Sequence, residues 1–272
     1  MFKRLRMFFL ALLLFNCSTM PDHFIRMDYR KPIAFEDLLK HLENKRVIFV
    51  GEIHSDSASH RVQLEVIRHL IDSGKNVSIA IEIFPAAQQQ YLDKWVSGTF
   101  RRDDFVRVFR KSVNMPYEAY EHIFEYARGN KIPMIGIDSA RKVIANVSKQ
   151  GTQAVPAEFL EQVKFTECAE DPDYMGLLGF SGKREYHQTG MPFLCEAQRL
   201  RDAVMAYNIS RILHENTATI VVMTGMMHSA KIAVPEMLQK HTTVDSVVLM
   251  PEMIISFTNG NQTIDFADYI WY

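Results

Sequence analysis

The run Val47-Ile48-Phe49-Val50-Gly51-Glu52-Ile53-His54 limits what this chain can become more than any other stretch. Four consecutive apolar residues predict a strand buried on both faces. Gly51 breaks the run, and Glu52 and His54 follow on the turn. Asp56 and Ser57 suit an N-cap. Beyond them His60, Val62, Leu64, Val66, Ile67, Leu70 and Ile71 approximate a 3.6-residue period, so a helix is expected. Strand, glycine turn and helix make the first βα unit of a parallel sheet. Ligands of such sheets bind outside the carboxyl ends of the strands, where Glu52 and His54 are expected to lie.

The design recurs late in the chain. Ala218 to Met223 is a second buried-type strand, and Thr224-Gly225-Met226-Met227-His228 follows it. Both turns read Gly-x-x-His. A third strand, Val77 to Ile81, ends in Glu82-Ile83-Phe84-Pro85. If these strands are neighbours, His54, His228 and Glu82 meet on one rim. Imidazole and carboxylate suit zinc, manganese or iron, and an open coordination position would activate water. The same groups equally suit a hydrogen-bonded cluster that caps strand ends, as buried polar groups require. No Gly-x-Ser-x-Gly or His-Glu-x-x-His occurs, so covalent catalysis has little support.

Between these landmarks the periodicity predicts short helices around Phe35–Leu42, Ala87–Val96, Phe105–Phe109 and Tyr117–Gly129. A strand is expected at Ile132–Ile137, with Asp138-Ser139 as N-cap of a helix over 140–149. The period fails from Gly151 to Pro192 and returns in a long helix, Phe193–His214. Strands are expected at Val247–Met250 and Met253–Phe257, and an edge strand or docked tail at 266–272. The expected fold class is α/β: a parallel-dominated β-sheet flanked by α-helices, with a smaller all-helical subdomain formed by about 86–130 and 152–200.

The N-terminus reads as a leader. Lys3, Arg4 and Arg6 precede a short apolar run, Met7 to Phe15, too short to span a bilayer. Leu14 stands three residues before Cys17, as in bacterial lipoprotein signals, although Phe15 and Asn16 depart from the small residues usual there. Residues 1–16 are thus expected to be a lipoprotein signal peptide, Cys17 the lipidated residue, 17–32 a tether and 33–272 the folded domain. An ordinary signal peptide with an incidental cysteine is the alternative. Loss of the leader removes three of 31 basic residues, leaving 28 against 32 acidic ones, a formal charge of −4. That balance argues against nucleic-acid binding. Cys168 and Cys195 remain, to pair in an oxidising compartment or to stay as thiols.

Several segments together resemble the ChaN-like family of haem-uptake lipoproteins, within the wider Tiki/TraB group. They are Gly51-Glu52-Ile53-His54 with His60 and Gln63; Glu82-Ile83-Phe84 with Gln88 or Gln89; and Ala197-Gln198 with Asp202 and Met205-Ala206. Gly225 to His228 running through to Val234-Pro235, and Asp268-Tyr269-Ile270-Trp271, complete the set. They stand in family order over residues 46–272. Arg201 replaces the tryptophan usual before the helix aspartate, a departure expected to touch packing more than chemistry. The resemblance implies a parallel sheet with a helical subdomain, haem as cofactor and a role in iron acquisition.

Haem needs an axial donor, apolar walls and partners for its propionates. No Cys-x-x-Cys-His is present to attach it covalently. For ferric haem, phenolate is a fitting hard donor. Residues 174–193 hold the required types: Tyr186, Tyr174 and His187 as donors, Leu177, Leu178, Phe180 and Phe193 as walls, Lys183 and Arg184 for propionates. Tyr186 is expected ahead of Tyr174 as the iron ligand, in a homodimer that shares the haem. On this reading Glu52, His54, Glu82 and His228 form a polar rim cluster. The expected partners are haem, the membrane through the N-terminal lipid, and an outer-membrane haem receptor. The expected location is the bacterial envelope, facing the periplasm or the exterior. The alternative is a Tiki-like metal-dependent hydrolase using His54, His228 and Glu82.

Overall fold

The computed structural model describes residues 20–168, 171–179, 191–252 and 266–272. Its strands are β1 (Phe24–Arg26), β2 (Lys31–Ile33), β3 (Val47–Glu52), β4 (Val77–Pro85), β5 (Met134–Asp138), β6 (Thr219–Gly225), β7 (Ser246–Pro251) and β8 (Tyr269–Trp271). They form one sheet in the order β2-β1-β8-β7-β3-β6-β4-β5. Strands β3 to β8 pair in parallel, and β1 runs antiparallel to both β2 and β8. The fold is α/β with a mainly parallel sheet, as the apolar runs at 47–50 and 218–223 demand. Every residue of β3 and of β6 is buried.

The connecting helices are α1 (Phe35–Leu42), α2 (Ser57–Asp72), α3 (Gln89–Val96), α4 (Arg102–Ser112), α5 (Tyr117–Gly129), α6 (Arg141–Gln150), α7 (Ala157–Gln162), α8 (Pro172–Leu177), α9 (Leu194–Glu215), α10 (Met226–Ser229) and α11 (Val234–His241). The Asp56 carboxylate caps α2, accepting from Ala58 N at 3.1 Å and Ser59 N at 2.9 Å. Helix α2 packs on α5, and α9 packs on α6 and α11. The chain leaves β3 towards β4 and leaves β6 in the opposite direction, towards β7. Adjacent parallel strands with diverging connections open a crevice at their carboxyl ends. That crevice lies between the two Gly-x-x-His turns.

Two expectations need correction. The stretch 17–32 is not all tether: Phe24–Arg26 pairs with Tyr269–Trp271, and Phe24 is buried against the ring of Phe35. Three-residue strands with mixed exposure carry too little pattern to be read from sequence. The helices of 86–130 and 152–200 pack in two places. Trp95, Phe105, Phe109, Tyr117 and Phe124 gather around Phe84 as part of the main core. Val147, Val163, Ala197, Leu200, Ala203 and Val204 make a separate cluster among α6, α7 and α9. Second, Asp138 does not cap α6, whose N-cap is Ala140 without a side-chain bond. The strand at 253–257 falls outside the described residues. Cys168 and Cys195 are joined in a disulfide, with Cα atoms 5.9 Å apart.

Candidate functional site

Two hydrogen-bonded chains meet at the carboxyl ends of β3, β4 and β6. The first centres on Glu52, the last residue of β3. Its Oε1 accepts from His54 Nδ1 at 2.6 Å and from the Tyr120 hydroxyl at 2.5 Å. Its Oε2 accepts from Gln63 Nε2 at 2.7 Å. Gln63 and Tyr120 reach the strand end from α2 and α5, and His60 of α2 lies over the Tyr120 ring, 4.3 Å between centroids. Burial drives the His54 pKa down, but Glu52 and Glu82 outweigh it and the net shift is upward. For His60, farther from the carboxylates, burial wins and the shift is downward.

The second chain centres on Arg201 of α9. Its Nη2 donates to Glu82 Oε1 at 2.6 Å and to Asp138 Oδ2 at 2.7 Å. Its Nη1 lies 3.2 Å from Gln198 Oε1 and 3.0 Å from His228 Nε2. The other ring nitrogen of His228 meets Asp202 Oδ1 at 2.5 Å, and the Tyr174 hydroxyl donates to Asp202 Oδ2. Glu82 Oε2 accepts from the Gly225 N–H at 2.6 Å. Burial alone would raise the Glu82 pKa; His228, Arg201 and His54, with the Gly225 N–H, hold it down at about 2. For Asp138 burial prevails over Arg201 and the pKa is raised. His228 is pulled upward by Glu82 and Asp202 against its burial.

The three strand ends thus bring Glu52, His54, Glu82 and His228 to one rim, as their spacing suggested. Arg201 is the correction: it does not merely fill the place of a tryptophan but joins Glu82, Asp138 and His228. Its role was hidden because no sequence period links position 201 to 82 or 138. Tyr174 belongs to the same network. It is 1% exposed, with the Arg199 guanidinium 4.5 Å from its ring centroid, and its phenol pKa is raised well above 10 by burial and Asp202. Tyr186, His187, Lys183, Arg184 and Cys17 lie outside the described residues. Among the described residues no three His, Cys, Asp or Glu side chains are disposed to hold one metal ion. Arg201 donates into the space between Glu82 and His228, which the metal-site alternative would need.

A cavity of about 370 Å³ opens over the rim, walled by Leu178, Leu194, Met226 and Met227. A second of about 540 Å³ adjoins it, between 113–115 and 191–201, and shares His54, Glu82, Leu194, Gln198 and Arg201 with the first. Two glycines make the rim possible through lack of bulk. A Cβ at Gly51 would stand 3.0 Å from Met250 Cβ and 3.1 Å from Met226 Cα, so the start of α10 would have to give by a few tenths of an ångström. At Gly225 it would stand 3.3 Å from His54 Nε2 and 3.6 Å from Glu82 Oε2.

Comparison with known proteins places this architecture. Among solved structures, ChaN of Campylobacter jejuni, described with cofacially bound haem, superposes with a TM-score of 0.68. It is 20% identical over 91% of this chain and 95% of its own, which speaks for a shared fold. A mutant of the erythromycin esterase EreC in its open conformation has a TM-score of 0.51 at 15% identity, over 84% of this chain and 76% of its own. The Arabidopsis thaliana chloroplast protein RETICULATA-RELATED 5 is 25% identical over 264 residues, covering 85% of this chain. The chain spans about a third, 34%, of that relative's length. The model of the family described as "Haem-binding uptake, Tiki superfamily, ChaN" matches residues 38–238, a span that contains every rim residue named above. The chain belongs to that family.

Proposed function

We propose that this chain binds haem and carries it during haem or iron acquisition, as a lipid-anchored protein of the bacterial envelope. The observation that carries the reading is the family match across 38–238, which takes in the rim and the 174–187 segment. The cavities suit a flat apolar group, since ligand sites of about 300–1,000 Å³ with mainly hydrophobic walls and few polar groups are usual. Leu178, Leu194, Met226 and Met227 supply such walls. Tyr174 fits poorly as a phenolate ligand, because its proton is engaged by Asp202 and its pKa is raised. Tyr186 therefore stands ahead of it as the iron ligand, with His187 as a further donor and Lys183 and Arg184 as propionate partners. Bound haem would supply a ferric centre that accepts an anionic oxygen.

Hemin titration of the purified protein tests the reading, with a saturable Soret band expected. Tyr186→Phe is expected to abolish the phenolate-to-iron charge-transfer band, and Tyr174→Phe to leave it in place. A band untouched in both variants moves the ligand out of this segment, and absence of hemin binding sinks the function. For the anchor, Cys17→Ala is expected to release the protein from the membrane fraction. Continued sedimentation of the variant with membranes would refute lipidation there.

A further inference from the structure

We infer that the second cavity binds a small organic monocarboxylate. Ser139, Arg141 and the first N–H groups of α6 hold its carboxylate, and the cavity walls hold its apolar body; the site is independent of the haem-binding reading. Ala140, the N-cap of α6, gives the helix no side-chain bond, and the N–H groups of Arg141 and Lys142 have no acceptor among the described residues. Such orphan donors, at the positive end of a helix dipole, favour an anion. Two side chains beside them point to a ligand on separate grounds. Ser139 lines the cavity and is 8% exposed, yet its hydroxyl has no partner among the described residues. A buried hydroxyl normally finds one. Arg141 lines the cavity as well, and no carboxylate of the described residues pairs with it.

The charge already in the cavity selects the guest. Glu82 and Asp138 line it too, but both accept from the Arg201 guanidinium, at 2.6 and 2.7 Å. Asp138 Oδ1 also accepts the Ser139 N–H at 2.7 Å, so that residue has its hydroxyl left for a guest, not its amide. With those carboxylates engaged, Arg141 is the cation that a guest meets. A monoanion balances it. A phosphate dianion would place uncompensated negative charge beside Glu82 and Asp138, which is costly away from water. A carboxylate accepts through both oxygens, so it can take a guanidinium on one side and N–H or hydroxyl donors on the other. Ile83, Val113, Met115, Ile144 and Leu194 give the cavity apolar walls, and its volume of about 540 Å³ suits an alkyl or aryl body rather than a bare ion.

Isothermal titration calorimetry of the purified full chain with octanoate, octanamide and inorganic phosphate tests the site. Octanoate is expected to bind in one saturable step, and the neutral amide and phosphate to bind about tenfold more weakly or worse, as the loss of a charged hydrogen bond implies. Arg141→Gln should weaken octanoate by about tenfold or more on the same ground, and Ser139→Ala should weaken it several-fold. Arg141 is exposed, so the variant is expected to keep the wild-type denaturation midpoint. Its hemin affinity should also match the wild type. No octanoate binding, octanamide or phosphate binding as tightly as octanoate, or unchanged octanoate affinity in both variants overturns the inference. Octanoate that fails to bind while Arg141→Gln weakens hemin gives the cradle to a haem propionate, and that too overturns it. Octanoate bound without any uptake of hemin supports the site and overturns the haem reading alone.

Discussion

Arg201 spends its donors on Glu82, Asp138, Gln198 and His228, and its guanidinium is mostly buried. Removing one member of a buried ion pair leaves an uncompensated charge, which costs about 3–5 kcal/mol. Arg201→Met is therefore expected to lower unfolding stability by about that much, and Arg201→Met combined with Glu82→Gln to recover part of it. Denaturant unfolding of the two single variants and the double variant measures the coupling. Glu82 also sets an acid limit. Its pKa is near 2 when folded, against 4.5 as the ordinary value. A depressed carboxylate pKa contributes stability that is present above 4.5 and lost as pH falls towards 2. Unfolding free energy should thus decline across that window, and Glu82→Gln should flatten the decline. At this scale the rim was legible where chemistry followed a strand end, as at Glu52, His54, Glu82 and His228. Tyr120, Asp138 and Arg201 were not legible as rim residues, because only the packing of α5, β5 and α9 brings them there.

The elements best read from sequence were those with long apolar runs or a clear helical period, namely β3, β6, α2 and α9. The short strands at the sheet edge were the weakest, since three residues cannot display a period. Yet β8 matters to the sheet: it pairs with β7 on one side and β1 on the other, and Tyr269, Ile270 and Trp271 are all buried. Trp271→Ala is expected to cost about 3–5 kcal/mol, as large-to-small changes at buried aromatic positions do, with the denaturation midpoint as the measure. The Cys168–Cys195 disulfide fastens the start of α9 to the residues before α8. Closing a loop of this length in the unfolded chain is worth about 3–4 kcal/mol. The denaturation midpoint should fall accordingly under reductant, and a Cys168→Ser variant should show no further fall when reductant is added.

At the scale of the whole molecule, the haem reading carries an expectation about assembly. A haem face left uncovered exposes a broad apolar surface, which a second copy of the chain would hide. Hemin titration followed by light scattering is expected to move the protein from monomer to dimer, and a complex that stays monomeric would refute the shared site. The order of strands has a consequence in time as well. Phe24 sits opposite Trp271, so the first strand and the last are neighbours in the finished sheet. Contacts so distant along the chain form slowly, because a long loop must close first. Until residues 269–271 arrive, the open side of β7 offers an unpaired apolar edge, and β1 has only β2 beside it. Partly folded species with such edges are the ones that associate wrongly. The interval before that closing strand docks is therefore when this protein most needs a chaperone, and a nascent chain halted short of residue 269 should be the form that aggregates.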